Sequence, residues 1–136
     1  IRIACPEAKF NLGEINMGIL GATQYIAQTA HPGVARMLVY GETISADEAL
    51  LAGIVDRIVS REDLPEASLK LAERISRKPP LALACAKECM IASQEIPLLE
   101  GLEVEEDALE FLWGTKDKNE AVNAFLEKRK PEFSEA

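Results

Sequence analysis

The sequence predicts a mixed α/β fold, with short strands and helices in residues 1–60 and helices alone in residues 61–136. In the first part, β-rich runs alternate with short helical segments. In the second part, apolar residues recur at spacings of three, four and seven, as they do on one face of a helix. Pro79-Pro80 and Pro97 interrupt that pattern and separate the helices. We therefore treat the two parts as separate domains.

Residues 1–60 are predicted to hold the strands of the fold. The predicted elements are a strand over 1–4, a strand over 8–10, helices over 22–30, 33–40 and 46–52, and a strand over 54–59. Ser45 and Glu48 have the spacing of a capping box, which starts a helix, and Gly41 and Gly53 are the residue type that ends one. A helix followed directly by a strand is typical of ββα units packed in a right-handed series.

Residues 61–136 are predicted to form four helices. Their expected ranges are 65–77, 80–93, 97–113 and 117–129. Helices with so little sheet make a poor independent domain, because the apolar stripe of each must be covered. We expect the stripe that contains Leu98, Leu102, Leu109 and Leu112 to be buried between subunits of an oligomer.

Composition excludes several classes of protein. The chain has 136 residues, of which 48% are apolar, and this is enough for a folded core. A net charge of -8 argues against nucleic acid as a partner, because its recognition depends on neutralising phosphates. No apolar run approaches the roughly 20 residues that span a bilayer, so no membrane association is expected. The start of the chain lacks Met and a signal core, so we expect a fragment and a cytoplasmic location.

Few side chains could ligate a metal. Cys85 and Cys89 share a helix face, but without a nearby His they would need ligands from elsewhere. We interpret the three cysteines as small buried residues in a reducing compartment, and we predict no metal site. His31, the only histidine, precedes a predicted helix start and is either a proton shuttle or a solvated turn residue.

Glu14 is the strongest candidate for a catalytic residue. It lies among apolar residues between Gly13 and Gly18, and glycines allow backbone or ligand to approach closely. A carboxylate that loses hydration has a raised pKa and stays available as a proton donor near neutral pH. The alternative is a carboxylate at a turn that reaches water past Leu12 and Ile15.

Four segments, in order along the chain, resemble motifs of the crotonase (enoyl-CoA hydratase/isomerase) superfamily. They are AKFNLGEINMG over 8–18, GETISADEALLAGIV over 41–55, KPPLALACAK over 78–87 and AFLEKRKPEF over 124–133. In the first segment Asn11 replaces the usual Gly, Gly13 replaces the usual Pro, and Glu14 occupies the position of a catalytic carboxylate. The resemblance implies a spiral of ββα repeats, of which only the last are present, followed by a helical trimerisation module that also covers the active site.

The resemblance also implies a chemistry. Members of the family bind an acyl-CoA thioester and stabilise its enolate with two backbone amides, so coenzyme A enters as part of the substrate and no other cofactor is expected. Hydration needs two carboxylates around one water, and Glu14 resembles the one that exchanges a proton with the α-carbon. The other carboxylate and the oxyanion hole belong to family motifs that residues 1–136 do not contain.

The interpretation is therefore the C-terminal half of a crotonase-like enzyme, most simply an enoyl-CoA hydratase. Its missing N-terminal half would complete the fold, and a trimer or a dimer of trimers is expected. Enoyl-CoA isomerase, decarboxylase and C–C hydrolase reactions stay open. So does a catalytically silent fragment that acts as an oligomerisation module.

A loop and the C-terminal tail carry the remaining candidate residues. The loop after Glu14 is about three residues shorter than the family form, and Gly18, Gly21 and Ala22 within it are expected to contact substrate. By resemblance Lys128, in a run of three cations, contacts the phosphates of CoA. The alternative is cations that favour a helix C-terminus through its dipole.

An adenine-stacking aromatic of the family is replaced by Leu109. Phe111 or Trp113 either substitutes for that aromatic or is core of the long helix.

Overall fold

The computed structural model describes residues 1–134, in two compact units: residues 1–70, and the residues from Leu71 onward. The predicted order of short strands followed by helices is confirmed. The elements are β1 (Ile3–Ala4), β2 (Lys9–Asn11), a 3-10 helix (Gly13–Met17), α1 (Thr23–Thr29), α2 (Pro32–Val39), β3 (Thr43–Ser45), α3 (Ala46–Leu51), β4 (Arg57–Ile58), α4 (Leu64–Ser76), α5 (Pro80–Glu95), α6 (Leu98–Trp113) and α7 (Lys116–Glu127).

Two strand pairs organise the first unit. β1 and β4 are parallel, with Ile3 opposite Arg57, whereas β2 and β3 are antiparallel, with Phe10 opposite Ile44. The core consists largely of small residues, which lets helices approach the strands closely. Its buried members are Ala4, Ala30, Ala35, Leu38, Ile44, Ala49, Ala52, Ile54 and Val55.

The strands differ from the prediction in length and number. The strand expected over 54–59 covers only Arg57–Ile58, because the N–H groups of Ile54 and Val55 donate to the Ala49 carbonyl at 2.9 and 3.1 Å. These bonds close α3 and take both residues out of the ladder. The prediction of a strand over 1–4 is likewise too long, and β3 and the 3-10 helix were not predicted.

The predicted capping box at α3 is confirmed. The Glu48 N–H donates to the Ser45 hydroxyl at 3.3 Å, and the Glu48 carboxylate accepts from the Ser45 N–H and hydroxyl, each at 2.8 Å. Because these bonds favour the charged form, they hold the pKa of Glu48 below its ordinary value. The box fixes the start of α3 directly after β3.

In the second unit, α5 and α6 pack as a helical hairpin joined by two residues. A groove runs along each side of the hairpin, with volumes of about 350 and 460 Å³, and Cys85 and Cys89 line both grooves. Neither helix has a fully buried residue, and the side chains of Leu98 and Leu99 are each 76% exposed. The helices are where the pattern predicts them, but in the described chain their apolar stripes are uncovered.

The tail folds back along α7. The Ser134 N–H donates to the buried Asp117 carboxylate at 2.9 Å, and the Glu132 N–H donates to Glu120 at 2.9 Å. The guanidinium of Arg129 pairs with Glu120 and Glu127. These contacts fix the residues that follow the last helix up to Ser134.

Candidate active site

Glu14 lies in the first turn of the 3-10 helix, directly after β2. The position of that helix depends on Asn11, the last residue of β2. The side-chain amide of Asn11 donates to the carbonyls of Gly41 and Glu42, at 2.8 and 3.0 Å. The end of β2 is thus tied to the turn that enters β3, which fixes where the chain turns toward Glu14.

The two departures from the family motif, Asn11 and Gly13, are in contact with each other. A Cβ at Gly13 would lie 2.8 Å from Oδ1 of Asn11, which is closer than non-bonded atoms allow. A glycine at 13 therefore leaves room for the asparagine at 11. The small residue at position 13 thus compensates for the larger one at position 11. The motifs alone do not reveal this pairing, because it depends on where the Asn11 side chain lies.

The Glu14 side chain is half-buried and lines a small apolar cavity. The cavity has a volume of about 20 Å³ and is lined by Leu12, Glu14, Ile15, Ile19, Leu20, Gly21, Thr23 and Val39. A buried water needs roughly 10–15 Å³, so there is room for about one. Glu14 is the one titratable side chain in this lining. The arrangement suits the transfer of a single proton.

The loop over 18–22 brings the predicted contact residues together, with different roles. Gly18 ends the 3-10 helix at φ 74°, and the Ile19 N–H donates to the Glu14 carbonyl at 3.2 Å. Ala22, at φ 53°, precedes α1 and accepts from the Ile26 N–H at 3.0 Å. Of the three predicted residues, Gly21 lines the cavity beside Glu14, and Gly18 and Ala22 shape the loop around it.

A larger groove adjoins this cavity. It lies between α1 and α2, has a volume of about 330 Å³ and shares Thr23 and Val39 with the Glu14 cavity. Its lining is mainly apolar, with the Arg36 side chain among the polar members. Thr23 and Val39 were not predicted as site residues. The one feature of the sequence that could have indicated them is that each lies on one of two neighbouring predicted helices.

Lys128, in the second unit, is exposed and closes α7 with φ 57°. Its N–H donates to the Phe125 carbonyl at 3.2 Å. Among residues 1–134 its ammonium forms no ion pair, in contrast to Arg129. The pairing with Glu120 and Glu127 raises the pKa of Arg129 and lowers that of Glu120 to about 2. The three cations are thus not equivalent.

Other candidate residues have structural positions. His31 caps the start of α2, where its Nδ1 accepts from the Gly33 N–H at 3.3 Å. Cys85 and Cys89 were expected to be buried, but they are only half-buried, because they line open grooves beside the hairpin. Within residues 1–134, no cluster of three or more His, Cys, Asp or Glu side chains is placed to hold a metal ion.

Phe111 and Trp113 are not core residues. These residues are 56% and 61% exposed, and the main packing partner of α6 within the described residues is α5. Lys118 lies over the Trp113 ring, with its Nζ 4.2 Å from the ring centre. In the part of the chain that the structure describes, no helix is both long and apolar enough to cross a membrane.

A model of the enoyl-CoA hydratase/isomerase family matches residues 1–136. The chain belongs to this family. Among its relatives, a 2,3-dehydroadipyl-CoA hydratase of Escherichia coli is 37% identical over 135 residues, which are 96% of this chain and 53% of that protein. A crotonyl-CoA hydratase of Syntrophomonas wolfei is 36% identical, over 97% of this chain and 52% of that protein.

Solved structures of family members have the same fold over the matched region. An enoyl-CoA hydratase from Bacillus anthracis superimposes with a TM-score of 0.92 at 36% identity, covering 98% of this chain and 53% of that one. The crotonase-like fold predicted from the motifs is thereby confirmed. The chain spans about half the length of the curated relatives and solved structures that it matches.

Proposed function

We propose that this chain carries the proton-transferring carboxylate of an acyl-CoA enzyme, most simply an enoyl-CoA hydratase. The observation that supports the proposal is Glu14 in an apolar cavity with room for about one water. Relatives named as hydratases of acyl-CoA substrates share 36–37% identity with it. An apolar site strengthens every interaction made by a charge that develops during the reaction.

In the proposed reaction, water adds across the 2,3 double bond of an enoyl-CoA. A second carboxylate takes a proton from water as its oxygen bonds to the β-carbon, and the electron pair moves to the thioester oxygen as an enolate. The carboxyl of Glu14 then donates its proton to the α-carbon, and solvent exchange resets both carboxylates. In the reverse direction Glu14 removes that proton. Because the second carboxylate and the oxyanion hole are proposed to lie outside residues 1–136, the chain alone is expected to be inactive.

The loop and the tail are proposed to bind substrate. Gly18, Gly21 and Ala22 would lie against the acyl thioester, since their loop borders the Glu14 cavity and these three residues have little or no side chain. Lys128 would contact a phosphate of CoA, because its exposed ammonium is not engaged in an ion pair within residues 1–134. The functional protein is proposed to be a trimer or a dimer of trimers.

The test replaces Glu14 by Gln in the whole protein. Glu14→Gln keeps the shape of the side chain but removes the transferable proton, so we expect kcat for crotonyl-CoA hydration to fall by about 10²–10⁴-fold with CoA binding retained. The matched control is Glu73→Gln, an exposed carboxylate of α4, which should leave kcat unchanged. Equal turnover by wild type and Glu14→Gln would remove Glu14 from catalysis.

A silent assembly module is the second candidate. The uncovered apolar stripes of α5 and α6 favour it, since they offer a surface for association that needs no chemistry. Isomerase, decarboxylase and C–C hydrolase reactions would use the same carboxylate on other thioesters. A wild-type protein that binds CoA but turns over none of these thioesters would favour the silent module.

A further inference from the structure

The backbone conformation of Gly21 does not itself require glycine. Gly18, Gly41 and Gly53 have φ of 74°, 86° and 75°, a region that side chains with a Cβ rarely adopt. Gly21 is not in that region, so its backbone conformation is open to alanine. The cost of a side chain at position 21 therefore depends on what that side chain would meet.

The surroundings of Gly21 are the side chain of Glu14. A Cβ added at Gly21 would lie 3.0 Å from Oε1 of Glu14 and 3.3 Å from its Cγ and Cδ, and these are its three nearest neighbours. A Cβ at Gly18, by contrast, would meet nothing within 4 Å. The space that a side chain would take at position 21 is occupied by the candidate proton donor.

We propose that Gly21 is a positioning residue for Glu14, because its lack of a Cβ leaves the space that the Glu14 carboxylate occupies at the edge of the cavity. The proposal builds on the catalytic role proposed above for Glu14. It separates the two loop glycines by function: Gly18 permits the turn, and Gly21 sets where the reacting oxygen lies.

Alanine at position 21 should displace Glu14 without unfolding the loop. The atoms in the way belong to a flexible side chain, so the carboxylate moves by a few tenths of an ångström and the backbone stays in place. A misplacement of 1 Å at a reacting group can cost about 10²-fold in rate, so we expect Gly21→Ala to lower kcat roughly tenfold. Because Gly21 is also proposed to lie against the thioester, KM for crotonyl-CoA is expected to rise in the wild-type and Glu14→Gln backgrounds alike, whereas kcat is expected to fall in the wild-type background alone.

The experiment is a double-mutant cycle in the whole protein, read by kcat and KM for crotonyl-CoA. If Gly21 acts through Glu14, Gly21→Ala lowers kcat in the wild-type background. In the Glu14→Gln background, Gly21→Ala leaves kcat equal to that of Glu14→Gln alone. Gly53→Ala is the control, because it strains a backbone at φ 75° far along the chain and should lower Tm with kcat unchanged. A crystal structure of Gly21→Ala should show the Glu14 carboxylate displaced.

The proposal is overturned by an unchanged kcat in Gly21→Ala, or by equal slowing by Gly21→Ala in both backgrounds. If Glu14→Gln itself stays fully active, the catalytic role of Glu14 fails, and the crystal structure decides the seating of the carboxylate by itself. Should Gly21→Ala not fold, Glu14→Ala is added to remove the three contacted atoms. Recovery of folding supports the contact, and continued misfolding overturns it.

Discussion

At the scale of single residues, the turn at Lys128 differs from its counterparts. Four helices in residues 1–134 end in the same way, with N–H groups that bond back to carbonyls of the last turn. They are the 3-10 helix, α2, α3 and α7. The residue with positive φ is Gly18, Gly41 or Gly53 in three of these turns, and Lys128 in the fourth. A left-handed conformation costs a residue with a Cβ about 1–2 kcal/mol, so Lys128 is unfavourable for stability where glycine would serve. Strain retained at an exposed cation favours a functional reason.

Lys128→Gly should therefore stabilise the protein and weaken its binding of CoA. We expect the free energy of unfolding to rise by about 1 kcal/mol as the strain at φ 57° is removed. Denaturant melts measure the stability, and calorimetry with free CoA at low and moderate salt measures the affinity. Lys128→Arg, which keeps the charge, is the control and should retain both affinity and salt dependence. Higher stability with unchanged CoA affinity would make the cation structurally and functionally dispensable.

The sequence proposed residues for the candidate site but did not predict the contacts between them. Glu14 and Gly21 are found by the motif and the glycine-rich loop, because local spacing carries that information. The support of the 3-10 helix by Asn11 was not predictable, since its amide bonds to Gly41 and Glu42, about 30 positions along the chain. The steric pairing of Asn11 with Gly13 also requires the side-chain rotamer, which no motif encodes.

At the scale of elements, helices were predicted better than strands. The helix expected over 97–113 is α6, Leu98–Trp113, because proline and local periodicity fix both its ends. β3 was missed because three residues, Thr43–Ser45, become a strand only through β2, which lies some 30 positions earlier. A strand that depends on pairing with a distant segment cannot be predicted from its own residues alone.

The contacts of Glu120 with Arg129 and the Glu132 N–H, which we call the tail clamp, should be sensitive to acid. Arg129 and the Glu132 N–H lower the pKa of Glu120 from 4.5 to about 2. Its contribution to stability is then fully present above pH 4.5 and is lost as the pH falls from 4.5 through about 2. Thermal melts from pH 7 to 2 should show that wild type loses more stability in this window than Glu120→Gln does. Glu110→Gln, an exposed carboxylate of α6, serves as the control and should follow wild type. Parallel pH profiles for wild type and Glu120→Gln would contradict the role of the tail clamp.

At the scale of the whole molecule, α6 exposes apolar side chains along its length in the described part of the chain. The described part of α6 has no fully buried residue, and Leu98, Leu102 and Leu109 are all exposed. Contiguous exposed apolar surface of this kind marks a site of association, and we propose that copies of the protein associate here. A net charge of -8 opposes association in general, so any contact between copies must come from local apolar burial. The spacing of these leucines by four and seven puts them on one helix face, as an interface requires.

Sedimentation of the whole protein at micromolar concentration should therefore show trimers or a dimer of trimers. Replacing Leu98 and Leu102 together by Glu places two charges on that face, and burying an unpaired charge is costly, so the double variant should sediment as a smaller species. Glu103→Gln, on the same helix but already polar and exposed, is the control and should keep the assembly. A wild-type protein that sediments as a clean monomer would contradict the prediction.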